Sequence, residues 1–152
     1  MGTNFYLQTA NKETANKYFS YDYTLTDTPT WGYEIHIAKT SAGWLPLFQS
    51  HENTINSVSD IKILFDTGEF IIKDEYGETY NWEEFTERVL NHNNGTLKNN
   101  PNREEKTDYD DLYCRKIKIP ISHFDGVYGT NYCQNEYFTD NEGYEFTTRE
   151  FS

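Results

Sequence analysis

Tyr33-Glu34-Ile35-His36-Ile37-Ala38-Lys39 decides how this chain is read. Apolar and polar side chains alternate along it, and a period of two is what a half-buried β-strand requires. Strict alternation puts Tyr33, Ile35, Ile37 and Lys39 on one face and Glu34, His36 and Ala38 on the other. Thr40-Ser41-Ala42-Gly43 then reads as a turn that sends the chain into a second segment, Trp44 to Gln49. Pro46 has no amide proton to give a ladder, so that segment is expected at a sheet edge or at a bulge.

Outward from this hairpin, Thr3 to Gln8 reads as a first strand, and the Asn/Lys/Thr-rich stretch up to about Thr30 reads as a loop without apolar periodicity. Val58, Ile61, Leu64 and Phe65 recur at helical spacing, which predicts a helix over Ser57 to Phe65, capped by Ser59 and Asp60 and ended by Thr67-Gly68. Phe70, Ile71 and Ile72 mark a strand within Glu69 to Asp74, followed by a turn at Glu75-Tyr76-Gly77-Glu78. Asn81 with Glu84 spells a capping box ahead of a second helix, Trp82 to Asn91, whose inward stripe is Trp82, Phe85, Val89 and Leu90.

Residues 92–111 are rich in Asn, Gly, Pro and charge, and read as a long mobile insertion. Leu112 to Ile121 alternates as a strand that Pro120 closes. Phe124 to Ser152 is aromatic and Gly-punctuated, as two or three short strands are, with Tyr144, Phe146, Thr148 and Glu150 on one face of the last. The sum is an α+β fold: one domain over 1–152, with a mostly antiparallel β-sheet and two short helices packed on one face.

A chain of 152 residues and 18.0 kDa can bury a core without metal or disulfide staples. Twenty-five acidic against 13 basic side chains give a formal charge of -12, which argues against binding nucleic acid or an anionic membrane. The aromatic content of 17% suits strands with one wet face. No apolar run reaches the roughly 20 residues of a membrane span, and Met1-Gly2-Thr3-Asn4-Phe5 lacks the basic flank of a signal peptide, so a cytoplasmic protein is expected. Cys114 and Cys133 form no C-x-x-C pair and read as reduced thiols.

Catalytic motifs are missing. His36, His51, His92 and His123 are scattered without H-E-x-x-H spacing, so no metal is expected. Ser41 lies outside any G-x-S-x-G, the Gly-rich nucleotide loops are absent, and neither a catalytic residue nor a cofactor is assigned. Six carboxylates between 74 and 87 read more simply as a solvated face than as an acid pair. The hairpin remains. Lys39, the Thr40 and Ser41 hydroxyls and the backbone N–H groups near Gly43 can form an anion nest, and Trp44 offers a face to a base. Stacking contributes about 1 to 3 kcal/mol per base, and nanomolar affinity needs roughly 12. Several partners must converge, and Arg115, Lys116 and Lys118 are candidates. The plain alternative is structural: His36 a satisfied sheet residue, Trp44 a core aromatic, and the turn only a turn.

Met1-Gly2-Thr3-Asn4-Phe5-Tyr6, then His36 to Trp44, then Asp74-Glu75-Tyr76-Gly77, and finally Glu150-Phe151-Ser152 together resemble a small phage and prophage protein family. Its members read approximately M-G-T-N-Y-Y, H-I-G-K-S-S-x-G-W, D-E-Y-G and E-F-S in the same order. Phe5 and Ala38 depart from that pattern, and the paired cysteines that many relatives carry before the histidine island are missing between Asn11 and Gly32. The resemblance implies a phage origin and no settled activity.

Small acidic phage proteins without catalytic motifs are often counter-defence factors, an association that comes from context and not from chemistry. The leading expectation is a sponge that sequesters a nucleotide-derived immune signal, of cyclic nucleotide or cyclic ADP-ribose type, without turnover. Its ligand-binding residues would be His36, Lys39, Ser41, Trp44, Asp74, Glu75 and Tyr76, in a locally basic site within one chain or across a homo-oligomer. Lys39 and Ser41 would hold phosphate, Trp44 and Tyr76 would stack on base, and Asp74 or Glu75 would accept from ribose hydroxyls. Two other readings stand beside it: an acidic protein that inhibits a host defence protein by direct binding or DNA mimicry, and an enzyme that degrades the signal with His36 as general acid or base.

Overall fold

The computed structural model describes residues 2–19, 23–25, 32–42, 45–96 and 137–148. Strands β1 (Gly2–Thr9), β2 (Thr24–Leu25), β3 (Tyr33–Ser41), β4 (Leu47–Gln49), β5 (Ile71–Asp74), β6 (Thr79–Tyr80), β7 (Tyr137–Thr139) and β8 (Glu145–Thr147) form one sheet. Its order is β6-β5-β1-β3-β4-β8-β7, with β2 added beside the start of β3. Every described pairing is antiparallel except β4 with β8. The α+β expectation therefore holds in the described residues. The strand expected at Leu112 to Ile121 and most of the 92–111 insertion lie outside them.

Among the described residues three helices, not two, contribute to the core beside the sheet. Helix α1 (Lys12–Phe19) falls in the stretch read from sequence as loop. Asn11 starts it, its Oδ1 accepting from the backbone N–H of Glu13 at 2.8 Å and of Thr14 at 3.3 Å. The helix buries only Thr14, Ala15 and Phe19, too little apolar surface to give a periodic signal. Helix α2 (Val58–Asp66) is capped by Ser57, whose Oγ accepts from the Asp60 N–H at 3.1 Å, ahead of the Ser59 and Asp60 caps expected. Helix α3 (Trp82–Phe85) opens on the Asn81–Glu84 capping box and runs into a π-helical turn, Thr86–Leu90.

Cross-strand register sorts the sheet into two faces, because directly opposed residues share a face. Phe5 and Leu7 of β1, Ile35 and Ala38 of β3, Phe48 of β4, Ile72 of β5 and Phe146 of β8 fall on one face by this rule. All are buried, in one cluster with Ala15, Phe19, Val58, Ile61, Leu64, Phe85 and Val89 from the helices. Phe48 and Phe146 stack with centroids 5.2 Å apart, and Phe5 meets Phe85 edge-on at 6.2 Å. Strand β4 lies between β3 and β8 rather than at an edge. Pro46 precedes its first paired residue, so the missing amide proton costs the ladder nothing.

Candidate functional site

One irregularity positions the site. Phe5 is opposite Ala38 and Tyr6 is opposite His36, so two steps along β3 match one along β1, and Ile37 is the extra residue of a β-bulge. Faces follow the partner strand. Ala38 shares the core face with Phe5, and Lys39, opposite Asn4, shares the far face with His36 and Tyr6. Strict alternation had separated His36 from Lys39, and the bulge reunites them. Ile35, Ile37 and Ala38 go to the core, while Glu34, His36, Lys39 and Ser41 are half-buried on the face away from the helices.

That polar face has successive tiers. At one end Gln8 is opposite Glu34, and its Nε2 donates to Glu34 Oε1 at 2.6 Å. A carboxylate oxygen can only accept, so the amide must turn its nitrogen that way, which leaves buried Gln8 Oε1 without a hydrogen-bond partner. An unmet buried acceptor costs about 1 to 3 kcal/mol, so the arrangement favours the Glu34 contact at some expense in stability. In the next tier the Tyr6 and His36 rings stack, centroids 4.8 Å apart and planes 29° apart. Lys73 of β5 is opposite Tyr6 on the other side and is 9% exposed. Burial, and then the charges of Glu34 and Glu75, push the Tyr6 hydroxyl above the ordinary phenol range, so Tyr6 stays protonated and can donate.

Asn4 and Lys39 make the third tier. Glu75 Oε1 accepts from the Asn4 backbone N–H at 2.7 Å and from Asn4 Nδ2 at 3.1 Å, while the Glu75 N–H donates to Asn4 O at 3.0 Å. Beyond them Gly2 is opposite Ser41. A Cβ at Gly2 would lie 2.9 Å from both Ser41 Oγ and Thr40 O, so glycine is what lets β1 pass this close. Two imidazoles fasten β3 from outside the sheet face. His51 Nε2 donates to His36 O at 2.7 Å and His92 Nε2 donates to Ser41 O at 2.9 Å, which fixes the proton on Nε2 of each ring because a carbonyl only accepts.

The turn after β5 divides the acidic residues assigned from sequence. Asp74 is opposite Phe5 and turns toward the helices. Its Oδ1 accepts from the N–H groups of Tyr76 at 2.8 Å and Glu78 at 3.0 Å, and its Oδ2 accepts from Tyr80 Oη–H at 2.7 Å. Gly77 closes the turn at φ 93°, in the left-handed region. Asp74 is thus committed to its own hairpin and does not join His36 and Lys39. Tyr76 stands 69% exposed at the turn. Trp44, Arg115, Lys116 and Lys118 lie outside the described residues.

Of the residues assigned from sequence, the fold brings His36, Lys39 and Ser41 onto one face with Glu75 beside them, and it sends Asp74 to the other. Sequence reasoning missed Tyr6, Gln8, Glu34 and Lys73. Polar Tyr6 and Gln8 alternating with apolar Phe5 and Leu7 carried the signal, but only pairing identifies their neighbours. By the same register Glu145 of β8 lies on this face beyond Leu47, so Lys39 and Lys73 meet three carboxylates, Glu34, Glu75 and Glu145, and the described part of the face is charge-mixed and not locally basic. Among the described residues no group of three or more His, Cys, Asp or Glu side chains is arranged to hold a metal ion, and no helix is long and apolar enough to cross a membrane.

Among the described residues two hollows lie away from the centre of this face. A notch of about 240 Å³ opens beside the Gln8 tier, where β1 and β5 diverge, lined by Gln8, Thr9, Ala10, Gly68, Glu69, Phe70 and Ile71. A larger, shallow groove of about 630 Å³ runs along α3 past Trp82, Glu83, Thr86, Glu87 and Asn91. The polar face is the better candidate, because it gathers cations, a hydroxyl, rings and acceptors, whereas the α3 groove offers one indole and carboxylates. No family model, no curated protein and no solved structure matches the chain.

Proposed function

We propose that this protein is a phage-encoded counter-defence sponge that holds a nucleotide-derived immune signal on the polar face of its sheet and does not turn it over. A single observation carries the reading: the Ile37 bulge gives one face a hydroxyl and a cation at Ser41 and Lys39, a ring pair at Tyr6 and His36, and acceptors at Gln8 and Glu34, in that order. A nucleotide presents a phosphate, for which Lys39 and Ser41 offer partners, and a planar base, for which the Tyr6–His36 pair offers a face. Sequestration is favoured over turnover because the described part of the face holds no nucleophile–base pair and its Tyr6 hydroxyl is shifted away from acting as a base. Calorimetry with 3′,5′-cyclic AMP, cyclic di-AMP and ADP-ribose tests it. Binding of one of them, abolished in Lys39→Met and with the nucleotide recovered intact from denatured complex, supports the proposal. No binding by any removes it, and recovery of a cleaved product replaces the sponge with an enzyme.

One observation favours a second reading. Glu83 and Glu87 line the α3 groove beside Trp82, an acidic aromatic surface suited to a basic segment of a host defence protein. Capture from host lysate through this surface would weaken sharply with salt and would be lost in Glu83→Lys/Glu87→Lys while Lys39→Met leaves it intact.

A further inference from the structure

We infer that the notch between β1 and β5 binds a primary alkylammonium group, which donates to Gln8 Oε1 and Glu69 Oε2. The inference goes beyond the nucleotide reading and does not depend on it, because Lys39 and Ser41, the partners given to phosphate, lie toward the other end of the polar face. The ladder between the two strands stops at Gln8 opposite Ile71, and the chains part beyond that pair. They leave about 240 Å³, below the roughly 300 Å³ at which pockets for drug-sized ligands begin, so the notch suits a small molecule or a single side chain.

Hydrogen bonding around the notch specifies what it takes. Gln8 Nε2 is given to Glu34, the Gly68 N–H to Phe65 O at 3.2 Å and the Glu69 N–H to Thr67 Oγ1 at 3.2 Å. Those donors are spent on the protein, and two acceptors are not. Gln8 is 5% exposed, and its Oε1 has no hydrogen-bond partner. Thr14 Oγ1 of α1 donates to Glu69 Oε1 at 2.7 Å, which orients the carboxylate and leaves Oε2 open. Among the described residues no cationic side chain lines the notch, while Ala10, Phe70 and Ile71 give it an apolar wall. A complementary ligand therefore donates at one end and is apolar behind it. An ammonium has three N–H donors and no acceptor, which suits open acceptors that would repel a phosphate or a carboxylate. A metal ion gains nothing from the apolar wall, whereas an alkyl chain does.

The test is a heteronuclear NMR titration of the full chain with n-butylammonium and with n-butyltrimethylammonium, which has the same charge and alkyl stem but no N–H. Shifts are expected at the Gln8 side-chain amide and at the Gly68 and Glu69 backbone amides. The primary amine is expected to bind at least about tenfold more tightly, the effect of one hydrogen bond to a charged acceptor. Glu69→Gln is expected to lose that preference, whereas Glu142→Gln, which removes the same charge from the exposed turn between β7 and β8, keeps it. Nα-acetyl-lysine methylamide, also singly charged, separates the two sources of the group: tighter binding than n-butylammonium assigns it to a partner's lysine, and weaker binding assigns it to a free amine. Equal binding of the two butyl cations, shifts spread over the acidic surface, or a preference that survives in Glu69→Gln overturns the inference and leaves the nucleotide reading untouched. If Glu69→Gln does not fold, the wild-type comparison alone still decides.

Discussion

His36 and Lys39, three positions apart in β3, project from the same face of the sheet. In a regular strand they would point in opposite directions, and the inserted Ile37 is the reason they do not. Lys39 shares a face with the Tyr6–His36 stack only because the ladder slips there, and this makes the bulge the architectural premise of the site.

Ile37 is fully buried in the core, so Ile37→Ala should cost about 2 to 5 kcal/mol through lost burial and the cavity left behind. Urea denaturation followed by tryptophan fluorescence measures it. A loss under 1 kcal/mol would mean that the bulge residue does not pack as described.

Asp74 should matter for stability and not for ligand recognition. Asp74→Asn keeps the shape but weakens acceptors that serve two turn N–H groups and Tyr80, and is expected to destabilise by roughly 1 to 3 kcal/mol. Ligand affinity, measured well below the melting temperature, should stay within about twofold of wild type, as expected for a side chain outside the site.

Burial, and then the hydrogen bond to Asp74, push the Tyr80 hydroxyl up to about 12. The folded state then holds this proton more tightly than the unfolded state, whose phenol titrates near 10. The Tyr80 contribution is therefore complete below pH 10 and is lost as pH rises from about 10 to about 12. Melting temperatures across that interval should fall less steeply in Tyr80→Phe than in wild type. Parallel curves would show that Tyr80 carries no such linkage.

Glu75 ties the hairpin turn to β1 by accepting two hydrogen bonds from Asn4. Because the contact is solvent-exposed, Glu75→Ala should cost only about 1 kcal/mol. Amide hydrogen exchange should quicken at Asn4, whose N–H loses its acceptor, and leave Leu7 protected. Unchanged exchange at Asn4 would show that the tie does not form in solution.

Lys39→Met should abolish binding of the nucleotide probe while leaving the melting temperature of the unliganded chain within a few degrees, since Lys39 is half-buried outside the apolar core. Ligand at about 100 times its Kd should raise wild-type stability by about 2.7 kcal/mol. A matching thermal shift in Lys39→Met would take Lys39 out of the site.

Local chemistry was legible wherever the chain alone sets it. The Asn81–Glu84 capping box and the turn at Glu75–Glu78 involve neighbours within a few residues, and the structure has both, whereas the alternation of Tyr33 to Lys39 holds only as far as Ile37 and breaks where Ala38 joins the core. Helix α1 was not legible, because a helix that buries Thr14, Ala15 and Phe19 is stabilised by packing rather than by an apolar stripe. The cap falls at Ser57 rather than at Ser59 or Asp60, as cap choices among nearby Ser and Asp residues depend on where the chain enters the helix.

The sequence by itself determined the class of fold, the position of the hairpin and the list of groups able to touch a ligand. Which of those groups share a face was decided only by tertiary structure. Side-chain direction in a strand is set by pairing as well as by parity, and a single unpaired residue reverses it for everything beyond. Ile37 is that residue here: it sends Lys39 and Ser41 to join His36, while the register of β5 against β1 turns Asp74 away and brings Lys73 in.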